Sequence, residues 1–559
     1  MNSIDKKRYI WVIISALIQG ILLGIYAIIK SGPLTCMPLT VIFLVPFVFW
    51  LSQEHWGRRL VNFLVGLTAV LLIFWIYRLW SLYSPNGSFY FVPSQKSDLI
   101  RISMAVFLIT PFFQCRIAAW SWKFPYSEIF FQFCRNLFLL FQASIVIAVF
   151  WGLMVTAGLL FDIVGLHSVP FMIFNPLTAV PLSSLSIAIS ISVAIKHPGI
   201  DSLGRWLLSV LAWLLPFFSV LSVMFLLCLP YSGLKTLWST GQASTLMLLL
   251  QFGTIILANA AWLDGSKPAF KNKYINFLAQ ISLLCLPIYA GLSIYSTGLR
   301  INQYGLSTDR IQALFFVIIT GVCGLGYAVS TLIRKWPQNI GKVNMGTILF
   351  TIFLVSLMNS PILDPFRLTA QNQIQRLNSG KISPDDFDYT YTRFNLGRFG
   401  SKTISDLTSH PSEEVRNSAA KALEVPPEEY LNYSLTGIPP KSVRREIISN
   451  AKVYGEKSLT NEQIEFFTDE FEKSEFLKTV KDSDEIAFVF MNIKSSVIIL
   501  FTENSGNVYK VDNEKISQIG RLSGNFNIAK FSEEIFKASE PQYMDIEING
   551  TSYQIVKGD

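Results

Sequence analysis

Charge is what this chain has least of. Only 15% of its 559 residues are Asp, Glu, Lys or Arg, against roughly 25% in an ordinary soluble domain, so a freely soluble enzyme is not the expected class. Histidine is scarcer still: His55, His167, His197 and His410 are scattered, with none of the spacings that hold a metal. The GxxxxGK[ST], HExxH, GxSxG and paired CxxC patterns are all missing, which removes the sequence grounds for P-loop nucleotide chemistry, zinc hydrolysis and a hydrolase nucleophile elbow. No metal and no cofactor is expected. Cysteine is confined to Cys36, Cys115, Cys134, Cys228, Cys285 and Cys323, in or beside apolar stretches where a thiol behaves as a small hydrophobe.

What is present is apolar: 51% hydrophobic residues, including 44 Phe, 20 Tyr and 13 Trp. The formal net charge of +8 hides two unlike parts. Up to Leu363 there are 23 Lys and Arg against 8 Asp and Glu; from Asp364 onward there are 23 against 30. The basic balance is thus no argument for nucleic acid, since the acidic part would be repelled by phosphate, and basic loops between apolar runs are what membrane orientation requires.

A bilayer core of about 30 Å needs roughly 20 apolar helical residues. Uncharged windows of that kind run 9–29, 31–53, 60–77, 102–115, 136–161, 163–195, 206–234, 236–263, 274–299, 311–333 and 343–363. They predict a membrane all-α bundle of eleven spans. The fourth is short unless it starts at Leu99 with Arg101 snorkelling to the surface. With the N-terminus inside, the inside segments carry 16 Lys and Arg and the outside loops 7. This predicts a cytoplasmic N-terminus and an extracytoplasmic tail, and deleting the fourth span leaves the tail outside.

After "NSPILDPF" the sequence turns polar. Ser383, Pro384 and Asp386 read as N-cap, N1 and N3 of a helix. Val415, Ala419 and Leu423 mark an amphipathic helix stopped by Pro426-Pro427, which is similar to half of a HEAT-type repeat. Alternation from Glu485 to Leu522 predicts three short strands, with turns at Asn492–Ser495 and Asn504–Asn507, and Asn549-Gly550 predicts a hairpin. The expected domains are 1–363 in the membrane, 364–480 mainly helical, and 481–559 β-rich, so the tail is a soluble α+β region.

No Asp, Glu or His sits at the centre of a window, so a proton or sodium relay is not visible. Gln142, Asn175, Gln251, Asn259, Gln280 and Asn359 read mainly as interhelical hydrogen-bonding residues. The sixth window carries Pro170, Pro176 and Pro181 and predicts either a broken helix lining a cavity at Asn175, Pro176 and Pro181 or a kinked packing helix. Gly20 and Gly24 form a GxxxG pair suited to close packing. Arg300, Tyr304, Asp309 and Arg310 concentrate in one outer loop. There, two arginines could grip a phosphate or carboxylate such as a lipid headgroup, or the loop could dock the acidic tail.

"RINQYGLSTDRI" at 300–311 and "NSPILDPFRLTAQNQIQRLNSGKISPDDFDYTYTRFNLGRFG" after two further helices resemble the signature of domain-of-unknown-function family 4153, bacterial polytopic membrane proteins with a soluble C-terminal part. Asp364, Pro365, Asp386, Phe387, Arg393, Gly397 and Arg398 carry the resemblance in the joining segment. It implies an inner-membrane location and supplies no catalytic residues. It also draws Arg393 and Arg398 into one outward basic patch with the arginine loop. The expected role is a non-enzymatic transporter-like carrier or scaffold and sensor of the cell envelope, with membrane lipids and another envelope protein as partners. The rivals are a membrane-embedded transferase on a lipid-linked or phosphate-bearing substrate and a protein–protein interaction module.

Overall fold

A computed structural model describes residues 3–28, 39–82, 95–119, 124–197, 199–232, 243–263, 265, 270–333, 336–426, 430, 441–449, 451–454, 458–473, 487–492, 496–502, 505–512, 515–523, 543–548 and 551–556. Among them, ten helices are long and apolar enough to cross a membrane. The chain is therefore a multi-pass helical membrane protein with a distinct C-terminal region. The membrane part is built from α1 (Ser3–Ile28), α2 (Leu39–Ser52), α3 (Arg58–Leu82), α4 (Gln95–Ala119), α5 (Tyr126–Ile163), α6 (Ser168–Phe174), α7 (Pro176–Ala194), α8 (Gly199–Ser232), α9 (Ala243–Trp262), α10 (Lys273–Tyr304), α11 (Thr308–Thr331) and α12 (Ile340–Met358).

Two of the eleven expected windows look different. The second is represented by α2, with 14 residues or about 21 Å at 1.5 Å per residue, and the rest of that window lies outside the described residues. The fourth is longer than its uncharged core, because α4 has 25 residues. Arg101 does not snorkel. It is 2% exposed and sits inside the bundle, because Asp98 and Gln312 supply the partners that water would otherwise provide.

Hydrogen bonds between helix ends fix the order of passes. At one end Tyr9 reaches the Ser192 carbonyl (3.5 Å), Ser192 donates to Gln53 (3.0 Å) and Arg59 donates to the Ile117 carbonyl (3.3 Å). Asn344 donates to Tyr126 there as well (2.6 Å). This end gathers the starts of α1, α3, α5 and α12 with the ends of α2, α4 and α7. The opposite end gathers the end of α3 with the starts of α4 and α11 and the segment after α12, through Arg78, Asp98, Arg101, Gln312 and Asp364. The first and last helices of the bundle thus begin and finish at opposite ends.

The sixth window is broken, as its prolines demand. α6 stops at Phe174, and Asn175 turns the chain in an extended conformation, its side chain accepting from the Leu177 amide (2.9 Å) to cap α7. α1 packs along α7. A Cβ on Gly24 would come 2.8 Å from the Pro176 carbonyl oxygen, and one on Gly20 would run into the Pro181 backbone. The GxxxG pair and the prolines therefore face each other, and the proline face that could have lined a cavity is covered by α1.

By packing, the chain divides into Met1–Ala419 and Ala420–Asp559. The first unit extends past the expected boundary at Leu363 because α13 (Pro365–Asn378), α14 (Tyr389–Asn395) and α15 (Gly397–Leu407) bury Phe366, Ala370, Phe394 and Ile404. The start expected at Ser383 is a turn instead: Ser383 bonds Asp386 through side chain (2.6 Å) and backbone (3.1 Å). The helix begins only at Tyr389, where Asp388 caps the Tyr391 amide (2.7 Å). Phe387 and Tyr389, packed edge to face at 4.7 Å and both buried, hold that turn against the core. The helix expected around Val415 and Ala419 is α16 (Glu413–Glu424), with both residues buried.

The second unit has α17 (Lys441–Ser449), α18 (Asn461–Lys473) and a five-stranded sheet in the order β1 (Lys452–Tyr454), β2 (Ala487–Asn492), β3 (Ser496–Thr502), β4 (Ser505–Asp512), β5 (Lys515–Ser523). β1 is parallel to β2 and the remaining pairs are antiparallel. Four strands stand where three were expected, because Asp512 and Lys515 pair across one further reversal. Phe467, Phe488, Ile498 and Tyr509 form the core between helices and sheet. β6 (Tyr543–Ile548) and β7 (Thr551–Val556) pair as the expected hairpin, while Asn549-Gly550 itself lies outside the described residues.

Candidate functional site

Among the described residues, a cluster of charged side chains lies where α3 and α4 meet the start of α13. Arg78 Nε is 2.6 Å from Asp98 Oδ2, and Arg78 Nη1 is 3.2 Å from Asp364 Oδ2. Tyr77 donates to the same Asp364 oxygen (2.8 Å), and Arg101 bonds both Asp98 and Gln312. Asp364 is 0% exposed, and its other oxygen caps α13 by accepting from the Phe366 amide (2.8 Å). The Arg78 guanidinium also lies 4.6 Å over the Phe366 ring. Two cations and two anions cancel, so the cluster is neutral, and removing any one leaves a buried charge uncompensated.

The arginine loop sits beside it and is covered by α13. Asn372 accepts from the Leu306 amide (2.8 Å), Gln373 donates to the Leu306 carbonyl (2.7 Å), and Arg376 donates to the Asn302 (2.8 Å) and Gln303 (2.6 Å) carbonyls. Gly305 adopts φ +78°, and a Cβ there would meet Gln373 Nε2 at 2.7 Å and Arg376 Cδ at 2.8 Å, so both conformation and space require glycine. Ser307 caps α11 by accepting from the Arg310 amide (3.3 Å). Thr308 and Tyr391 hydroxyls meet at 3.3 Å, and burial pushes the Tyr391 phenol above its ordinary range.

These contacts distribute the expected site residues. Arg310 donates to the Gly305 carbonyl (2.7 Å) and the Tyr304 carbonyl (3.3 Å), and its guanidinium lies over the Tyr304 ring, so it closes its own loop. Asp309 is exposed in the first turn of α11, where the helix dipole favours a carboxylate. Arg398 stacks 3.9 Å over Trp80, which is packed against Phe399 and Tyr77. Arg393, expected in an outward basic patch, is instead 7% exposed with its guanidinium over the Phe394 ring, on a short helix that also buries Tyr389, Thr392, Phe394 and Asn395. Arg300 is half-buried near the end of α10. The loop docks on the segment that follows the membrane domain through its own backbone amide and carbonyls, met by Asn372, Gln373 and Arg376.

Sequence reading missed Arg78, Asp98, Arg101 and Asp364 as a set. Asp98 and Asp364 are two of the few acids near the apolar windows, and that rarity was the available signal.

Within the bundle the uncharged polar residues tie helices together. Gln142 accepts from Ser190 (3.1 Å), Gln251 donates to Ser293 (3.2 Å), and Asn259 donates to Tyr327 (2.7 Å), which in turn donates to Asn344 (2.6 Å). Among the described residues no group of three His, Cys, Asp or Glu side chains converges to hold a metal. No family model, no curated protein and no solved structure matches this chain.

Proposed function

We propose that the protein is a scaffold or sensor of the bacterial inner membrane, in which the helical bundle anchors an extracytoplasmic platform, residues 364–419, that leads into the C-terminal unit. The observation that carries this reading is the neutral buried cluster of Arg78, Asp98, Arg101 and Asp364. A latch of that kind serves a fixed junction between membrane and tail. Arg310, donating to the carbonyls of its own loop, supports the scaffold reading over a transferase that grips phosphate through Arg300 and Arg310. The resemblance to domain-of-unknown-function family 4153 belongs to the same proposal.

The orientation follows from Lys and Arg counts of 16 and 7 at the two ends. Alkaline phosphatase fused after Gly400 should be active and after Lys342 inactive; the reverse pattern would overturn both the orientation and the envelope role.

A further inference from the structure

A second feature, unrelated to the latch, is an apolar slot of about 370 Å³ between α2, α4 and α5. Phe43 and Phe47 line one wall, Val106 and Thr110 a second, and Leu137 and Leu140 the third. Its polar side chains are Ser103 and Thr110, and the Thr110 hydroxyl is spent on the Val106 carbonyl (2.7 Å). One turn beyond Thr110, Gln114 donates to the carbonyl of the lining residue Leu51 (3.1 Å) and exchanges amide hydrogen bonds with Asn136 (3.2 and 2.9 Å), tying α4 to α2 and α5.

We propose that this slot binds one acyl chain of a bilayer phospholipid. Three observations select that occupant. Water finds almost no partners there, and apolar cavities of about 150 Å³ already stay dry and take up hydrocarbon. The slot is elongated in the right direction: its walls run from Phe43 to Leu51 and from Ser103 to Thr110, roughly 12 Å along helices at 1.5 Å per residue, and α2 and α4 both run toward the same end of the bundle. Left empty, the lining would lose dispersion contacts on one side, and in a membrane the molecule always present to restore them is lipid. The bound chain fills the space beside α2, of which 14 residues are described.

The full-length protein, reconstituted in vesicles of phosphatidylethanolamine and phosphatidylglycerol carrying a photoreactive diazirine at mid-chain, provides the test. After irradiation and digestion, peptides bearing Met104 and Phe107 should be labelled at least about fivefold more than the peptide bearing Val149 and Leu153, which are 60% and 63% exposed and report ordinary boundary lipid. Val106→Trp, which fills the slot, should remove that excess and leave labelling at Val149 and Leu153 unchanged. Ser103→Phe, a milder filling, serves if the first variant melts early. Equal labelling of the two peptides in the wild type, or an excess that survives in a filled variant with wild-type melting temperature, would overturn the proposal.

Discussion

Asp364 holds two roles with one side chain: counter-ion of Arg78 through one oxygen and N-cap of α13 through the other. Asp364→Ala should therefore cost roughly 3–5 kcal/mol as a broken buried pair, with about 1 kcal/mol more for the lost cap, read as a fall in the melting temperature of the detergent-solubilised protein. Arg78→Met in the Asp364→Ala background should recover part of this loss, because it removes the stranded charge; no recovery would mean that Arg78 finds another anion. At the other end of the bundle His55 follows a pH rule. Burial holds it below its ordinary value of 6.5, with Arg135 acting in the same direction and Glu54 against it. Its folded pKa lies below the unfolded one, so the fold prefers the neutral ring. Stability should then be full above about 6.5 and decline as pH falls through that value and on to the folded pKa. His55→Gln should flatten that decline in melting curves taken between neutral and acidic pH.

At the scale of elements, two glycine sites make separate predictions. Gly24→Leu should push α1 off α7, since even a Cβ would come 2.8 Å from the Pro176 carbonyl, and should lower stability by several kcal/mol as an overpacked close contact. Gly305→Val should strain a left-handed turn and displace Gln373 and Arg376. Limited proteolysis should then cut between Tyr304 and Thr308 more readily than in the wild type, whose loop is held by Asn372, Gln373 and Arg376. These elements also mark how much was legible in the sequence. The spans were readable because each is a local run of apolar residues, and the break at Asn175 because proline acts on its own neighbourhood. The GxxxG pair announced a close contact but not its partner, since the facing prolines are more than 150 residues away. Ser383 and Asp386 formed the local bond their spacing implied, yet the helix waited for Tyr389, because burial of Phe387 decided the turn. The ion cluster could not be assembled from sequence for the same reason: the scarcity of acids singles out Asp98 and Asp364, but only tertiary packing pairs them with Arg78 and Arg101.

For the whole molecule, the division after Ala419 separates two truncations that the change of composition at Leu363 would treat alike. A chain ending at Ala419 keeps α13 to α15 and should insert and melt much like the parent bundle. One ending at Leu363 lacks Asp364 and leaves Arg78 short of a counter-ion, so it should melt markedly lower or be degraded in the cell; equal melting of the two would contradict the junction described above. The latch also has a timetable. Arg78 and Asp364 are 286 residues apart, which at ~5–20 residues per second means that on the order of 15–60 s of synthesis separate them. Once Arg101 is made, the growing chain carries Arg78 and Arg101 against Asp98 alone, one positive charge in excess within the set. Neutrality arrives only once Asp364, a few residues after α12, has been made, so the four-residue cluster cannot assemble before the last helix of the bundle exists.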